Sequence, residues 1–155
     1  MTRRGRTMLV ATVAGSALIT AAALINPHPF LVWNATASAP LGLYRTGFKR
    51  PQTGDYVFLR LDGEARELAV ARGYLPRNVP AIKQIAAAQG DEICRRASRV
   101  FINGSHSADA LARDSFGRPM PVWEGCWTLQ AVEVFLLNAH PLCFDGRYFG
   151  AGSAG

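Results

Sequence analysis

The sequence has little lysine and no low-complexity or repeated segments. Of its 17 basic residues only Lys49 and Lys83 are lysines, and the rest are arginines. Because 49% of the residues are hydrophobic and no segment recurs at a fixed period, disorder and repeat architectures are both excluded. A chain of 155 residues leaves room for about one small domain beyond its N-terminal apolar segment.

The basic charge is not organised for nucleic acid. Arg3, Arg4 and Arg6 carry half of the net charge of +6, and all three precede the apolar segment. The remaining arginines are scattered among Asp and Glu without a basic stripe or interleaved aromatic residues. The sequence therefore predicts no nucleic-acid partner.

An uncharged apolar run covers residues 8–25, which as a helix would rise about 27 Å and just span a bilayer core. Basic residues before it keep the N-terminus in the cytoplasm. We expect a cytoplasmic N-terminus (1–7), a transmembrane signal anchor (8–26) that the prolines at 27 and 29 end, and an exported periplasmic domain (27–155) on the inner membrane. The alternative is a cleaved secretory peptide, since residues 35–37 have the small-x-small form of a cleavage site. The run is longer than a typical signal core, which favours a retained anchor.

The exported part has the pattern of a mainly β domain. Strand-like runs are followed or separated by turn residues, and Asn103-Gly104 is a strong hairpin signal, so antiparallel pairing is expected. The predicted strands are 55–60, 79–88, 92–94, 100–102 and 133–138. Only residues 64–72 have helical spacing, with Asp62 as the N-cap. Residues 108–121 lack periodicity and are predicted to be a loop without chemistry of its own.

Lys83 stands in an apolar strand-like setting in a chain that otherwise prefers arginine. A buried lysine has a lowered pKa and can act as a general base, whereas a guanidinium cannot release its proton. Ser38 lies among small residues before Pro40 and Gly42, which favour an irregular and accessible loop. Ser-Lys pairs are an established alternative to Ser-His-Asp triads. Taken singly, Lys83 could be a snorkelling lysine at a strand edge and Ser38 an ordinary turn residue.

Taken together, these motifs resemble those of signal peptidases, and most closely the TraF-type peptidases of conjugative transfer. The motifs occur in the family's order, at residues 38–44 (SAPLGLY), 82–91 (IKQI running into GD), 103–104 (NG) and 144–150 (FDGRYFG). The resemblance covers most of the exported part. It implies a signal-peptidase-like antiparallel β domain behind one transmembrane helix, with Ser38 as nucleophile and Lys83 as general base.

The resemblance also assigns supporting residues. Thr36 occupies the place of a hydroxyl that helps the Ser38 backbone N–H to bind the oxyanion. Asp145 is expected to be catalytic or to organise the site, with Arg147 beside it, and a purely structural Asp-Arg pair is the alternative. The chain departs from the family pattern at Cys143 and Gly146, where serines are frequent, and at Ala39 and Gln84.

Three cysteines in an exported domain allow at most one internal disulfide, and Cys94 with Cys126 is the pair we expect. A zinc site built from His140 and Cys143 lacks a repeated ligand pair. No histidine is placed for a Ser-His-Asp triad. We therefore predict no metal and no cofactor.

The predicted function is a membrane-anchored serine endopeptidase that cleaves a conjugative pilin precursor after small residues. The resemblance leaves open whether water or the substrate's own N-terminal amine takes the acyl group. The expected partners are a membrane-anchored propilin or preprotein, the lipid bilayer and a conjugative transfer apparatus. The alternatives are a general signal peptidase and a catalytically silent scaffold of a pilus or secretion apparatus.

Overall fold

The structure is a computed structural model that describes residues 3–24, 30–47 and 50–153. The chain divides into two units, Met1–Phe30 and Leu31–Gly155.

The first unit contains one helix, α1, at Arg3–Leu24. It begins five residues before the predicted anchor, so the basic residues belong to the helix. Within the described ranges, no helix is both long enough and apolar enough to cross a membrane. Residues 25–29, which include the end of the predicted anchor and the prolines expected to stop it, lie outside the described residues. The anchor is thus not confirmed and remains a prediction.

The second unit has ten strands and two short helices in its described part. The strands are β1 (Leu31–Asn34), β2 (Gly42–Arg45), β3 (Tyr56–Leu59), β4 (Ala81–Ala87), β5 (Glu92–Arg96), β6 (Arg99–Ile102), β7 (Ser105–Asp109), β8 (Gly125–Thr128), β9 (Glu133–Leu136) and β10 (Gly152–Ser153). The helices are α2 (Gly63–Ala71) and α3 (Gly146–Phe149).

These strands form a hairpin and two four-stranded sheets, and all their pairings are antiparallel. The hairpin is β1-β2, and the sheets have the orders β10-β9-β4-β3 and β7-β6-β5-β8. The mainly β class predicted from the sequence is therefore confirmed, and the sheets are consistent with a signal-peptidase-like domain.

The core lies where side chains of the two larger sheets meet. Ala87 and Phe135 come from β4 and β9, and Ile93 and Val100 come from β5 and β6; none of these four side chains is exposed to solvent. Alternating side chains of a strand point to opposite faces, so each sheet directs one face inward. This packing fixes β4, the strand that carries Lys83, against the rest of the domain.

The local predictions hold where the sequence signal was strong. The five predicted strands appear as β3, β4, β5, β6 and β9, and Asn103 and Gly104, with φ of 50° and 77°, form the turn between β6 and β7. The prediction for Asp62 was only half right. It occupies the N-cap position of α2, but its side chain makes no capping hydrogen bond.

Candidate active site

Ser38 and Lys83 line the same cleft, which has a volume of about 710 Å³. Ser38 comes from the loop between β1 and β2, and Lys83 comes from the middle of β4. Other parts of the wall come from β1, from Phe58 of β3, from the segment after α2, from the loop before β8 and from several residues between 140 and 148. Thr36 lines the cleft as well, whereas Asp145 and Arg147 do not.

Ser38 is half-buried, and its hydroxyl is hydrogen-bonded to the exposed Thr36. The distance between the Ser38 Oγ and Thr36 Oγ1 atoms is 2.9 Å. The two hydroxyls are only two residues apart, so the loop itself brings them together. The structure thus places the Thr36 hydroxyl beside that of Ser38.

Lys83 lies on the inward face of β4. It pairs with Val57 of β3 and shares its face with Ile85 and Ala87, because side chains of a strand alternate. Only 5% of Lys83 is exposed. Burial lowers the pKa of Lys83 from its ordinary value of 10.5, because the charged form loses its hydration. The charge of Asp145 acts in the opposite direction and raises the pKa.

The Lys83 side chain donates no hydrogen bond to another residue within the part of the chain that the structure describes. Its nearest charged neighbours act on it through space, and Arg147 adds to the lowering of its pKa. A neutral amine in this position would keep its lone pair for a proton from the cleft.

Asp145 and Arg147 form a buried ion pair, with 0% and 2% of their side chains exposed. Asp145 Oδ1 accepts from the backbone N–H and the Nε of Arg147, and Oδ2 accepts from Arg147 Nη2 and from the backbone N–H of Asn138. Arg147 also donates to the carbonyl oxygens of Pro141 and Asn138, both at 2.8 Å. Each carboxylate oxygen of Asp145 thus accepts two hydrogen bonds, and these bonds hold residues 138–147 together.

Asn138 connects this ion pair to the strand of Lys83, although nothing in the sequence pattern singles it out. Its Oδ1 accepts from the backbone N–H of Gln84 at 2.8 Å, and its Nδ2 donates to the carbonyl oxygen of Ile82 at 3.1 Å. These two residues flank Lys83. Asn138 therefore fixes the backbone of β4 on both sides of the lysine. This role is visible only in the structure, because Asn138 and Gln84 are 54 residues apart in the sequence.

Cys143 lines the cleft, and the sequence does not indicate its role there. It is buried and free, and its Sγ donates to the carbonyl oxygen of Ser38 at 3.6 Å. Burial raises the pKa of its thiol, which the nearby Lys83 charge partly offsets. Cys143 thus contacts the Ser38 backbone while lying close to Lys83.

Gly146, where the family often has serine, has no room for a side chain. A Cβ atom there would lie 2.7 Å from the Leu136 carbonyl oxygen and 2.7 Å from the Phe135 ring. The large Phe135 side chain is itself fully buried in the core. The departure from the family pattern is therefore matched by packing within this chain.

The loop predicted to lack chemistry forms one wall of the cleft, through Leu111, Asp114, Ser115 and Met120. Asp114 is anchored by hydrogen bonds from Tyr74 and Arg118. Burial alone would raise the pKa of Asp114, but these hydrogen bonds hold it well below its usual range. The expectation for this loop was therefore incomplete, because its contribution depends on contacts with the segment after α2.

Cys94 and Cys126 are joined by a disulfide in the structure. They face each other across β5 and β8. Together with Glu92 they are the one group of ligand-type side chains close enough for a metal within the described residues. A disulfide has no thiolate to offer, so this group does not suit zinc.

The two histidines with described contacts lie at the surface. His106 is paired with Asp109 on β7, outside the cleft. His140 lines the cleft, where its Nδ1 accepts from the backbone N–H of Leu142. Neither of these two histidines is hydrogen-bonded to Ser38.

Comparison with known proteins identifies the family. Residues 3–154 match the family model described as signal peptidase, peptidase S26. Two relatives from Escherichia coli are both named plasmid transfer protein TraF. One is 33% identical, over 93% of this chain and 86% of the relative, and the other is 31% identical, over 76% and 72%. No solved structure matches. The chain belongs to the S26 signal peptidases, serine peptidases of the signal-peptidase type, as a TraF-type member.

Proposed function

We propose that this protein is a membrane-anchored serine endopeptidase that matures a conjugative pilin precursor, with Ser38 as nucleophile and Lys83 as general base. The observation that carries the proposal is the burial of Lys83 in the cleft that Ser38 also lines. A lysine on a core-facing strand position is costly unless it has a task, because burial opposes its charge. Its lowered pKa gives it that task.

In the proposed reaction, Ser38 Oγ attacks the carbonyl carbon of the scissile bond while Lys83 Nζ takes the hydroxyl proton. The peptide C–N bond then breaks, and the Lys83 ammonium returns the proton to the leaving amine. An ester between Ser38 and the N-terminal part of the substrate remains. The Ser38 backbone N–H is the first oxyanion donor in this scheme.

The acyl group then passes from Ser38 to a second nucleophile. This nucleophile is either water or an amine of the substrate. Lys83, neutral again, takes a proton from the nucleophile as the nucleophile attacks the ester. Water gives linear products. If the substrate's own N-terminal amine attacks instead, the acyl fragment closes into a ring. The cyclic product is then lighter than the hydrolysed linear chain by one water.

A role in conjugation is supported by the relatives, which are plasmid transfer proteins, and the pilin substrate follows from the family resemblance. The preference for small residues before the cut follows from the family resemblance. We expect the substrate to be anchored in the same inner membrane, where it would meet a peptidase held at the periplasmic surface.

Two features support the membrane location. Arg3, Arg4 and Arg6 precede the apolar run, as expected of a cytoplasmic flank. On the β1-β2 hairpin, the cross-strand partners Trp33 and Leu43 are 67% and 61% exposed. Large apolar side chains so close to the nucleophile loop are suited to a lipid interface.

The first experiment is the mass of a candidate propilin after incubation with membranes that carry wild-type protein, Ser38→Ala or Lys83→Ala. Both substitutions should lower cleavage by about 10³-fold or more. Ser107→Ala is the matched control, because Ser107 is an exposed serine of β7 that does not line the cleft. It should cleave like wild type.

Each other outcome selects a different function. Wild-type processing by both Ser38→Ala and Lys83→Ala would refute the peptidase and leave the scaffold. Loss in both variants with processing of many unrelated exported precursors would identify a general signal peptidase. A product lighter than the hydrolysed chain by one water would identify cyclisation.

A further inference from the structure

Asn34 ends β1 and stands at the entrance to the loop that carries Ser38. It pairs with Gly42 at the start of β2, so residues 35–41 form the loop of this hairpin. Only 5% of Asn34 is exposed. Asparagine is common beside turns, and the sequence pattern therefore gives no sign that this one has a special task.

The side chain of Asn34 ties the loop together from within. Its Nδ2 donates to the carbonyl oxygens of Thr36, Ala39 and Pro40, at 2.9, 3.0 and 3.1 Å. Its Oδ1 accepts from the backbone N–H of Thr36 at 3.1 Å and from the Thr36 hydroxyl at 2.9 Å. One side chain thus contacts the backbone on both sides of the nucleophile.

The orientation of the Asn34 amide follows from its partners. Backbone carbonyl oxygens can only accept and a backbone N–H can only donate. A flipped amide would place its oxygen against three carbonyl oxygens and its NH₂ against a donor. Only the observed orientation gives each of these groups a suitable partner, with the two Nδ2 protons shared among the three carbonyl oxygens.

Counting protons then fixes the direction of the hydrogen bond at the nucleophile. The Thr36 hydroxyl has one proton, and it donates that proton to Asn34 Oδ1, which can only accept. In the 2.9 Å contact between the hydroxyls of Thr36 and Ser38, Ser38 must therefore be the donor. The same count leaves Thr36 no proton for an oxyanion while it is bonded to Asn34.

We propose that Asn34 is a positioning residue that acts on Ser38 through Thr36. It holds the Thr36 hydroxyl as an acceptor, and Thr36 in turn holds the Ser38 side chain in one rotamer with its proton on a defined side. When Lys83 takes the Ser38 proton, the hydrogen bond from Ser38 to Thr36 breaks, so Thr36 is the partner of the Ser38 hydroxyl only before the reaction. This inference rests on the proposed function, because it assigns Asn34 a part in that reaction.

Two substitutions separate the parts of this arrangement. Asn34→Asp keeps the shape and the acceptor for Thr36 but sets a carboxylate oxygen against three carbonyl oxygens. Thr36→Val removes the hydroxyl and leaves the Asn34 bonds to the backbone in place. Each should lower kcat by about tenfold or more and leave KM within about twofold, because the cleft is intact and only the nucleophile is misplaced.

The conservative variant and the double variant test whether the two residues act as one unit. Thr36→Ser keeps the hydroxyl and should restore most of kcat. The Asn34→Asp/Thr36→Val double variant should be no slower than the slower single variant, because both break the same chain of contacts. Additive losses, or a Thr36→Val variant with wild-type kcat, would overturn the proposal.

The full-length protein in membranes is used throughout, with a propilin as substrate. Asn78→Asp is the matched control, since Asn78 is exposed and does not line the cleft, and it should cleave like wild type. If a thermal unfolding measurement shows that the Asn34→Asp variant is not folded, the Thr36→Val variant alone decides the question. Ser38→Ala separates the two ideas: full activity there refutes the proposed function, whereas an inactive Ser38→Ala with active Asn34 and Thr36 variants refutes only this inference.

Discussion

The strongest test of the buried ion pair is the removal of Asp145. Asp145→Ala takes away four accepted hydrogen bonds and leaves the Arg147 guanidinium without a counter-charge at a site where 2% of its side chain is exposed. Breaking a buried pair by removing one partner costs about 3–5 kcal/mol. Since domains are stable by only about 5–15 kcal/mol, this is a large share of the total.

The two roles expected for Asp145 predict different results. If it organises the site, Asp145→Ala loses stability and cleavage together. If it were a proton-transfer group, the variant would lose cleavage and unfold like wild type. Because its lone pairs are occupied and it does not line the cleft, we expect the first result.

The assay is urea unfolding of the full-length protein in detergent, followed by tryptophan fluorescence. Asp145→Ala and Arg147→Met are measured singly and together. The loss in the double variant should be smaller than the sum of the single losses by about 1–3 kcal/mol, because neither charge is then left unpaired. An Asp145→Ala variant within about 0.5 kcal/mol of wild type, or strictly additive losses, would refute the structural role.

Four further predictions concern Lys83, Gly146 and the disulfide. Lys83→Arg should abolish cleavage although it keeps the charge, and in the wild type cleavage should rise with pH through a midpoint below 10.5, because burial lowers the Lys83 pKa. Because the Lys83 pKa is lower in the folded protein than in the unfolded chain, the buried charge destabilises the fold most at low pH. The free energy of unfolding should therefore rise with pH between the folded pKa and about 10.5, which unfolding measured at several pH values checks. Gly146→Ser should cost about 1–3 kcal/mol of unfolding free energy, whereas Gly152→Ala, which meets no atom within 4 Å, should cost far less. A non-reducing peptide map should show Cys94 linked to Cys126, and two alkylatable thiols would contradict it.

The parts of the fold that the sequence predicts are those whose signal is local. The Asn103-Gly104 turn and the apolar run around Lys83 need only neighbouring residues to specify them, and both were predicted correctly. β1 was missed, because Leu31–Trp33 is short and apolar and matches a membrane interface as well as a strand. Its pairing with β2 shows that the segment is a strand, and a strand with an exposed Trp33 is compatible with a membrane interface as well.

The supporting residues of the site could not be predicted, because contacts far apart in sequence create their roles. Asn138 acts on β4 across 54 residues, and Cys143 reaches the Ser38 carbonyl across 105. Neither residue type carries a pattern at its own position. Lys83 was found because its side chain conflicts with its apolar surroundings, and such a conflict is visible in the sequence.

The pair of Asp145 and Arg147 also explains how a base can work beside a carboxylate. A free carboxylate near Lys83 would favour the ammonium and remove the base. Asp145 does raise the Lys83 pKa, but Arg147 lowers it, and the two charges lie in one buried pair. Arg147 thus offsets part of the effect that Asp145 has on the Lys83 pKa. Burial is then left as the dominant influence, and it favours the neutral amine that the proposed reaction requires.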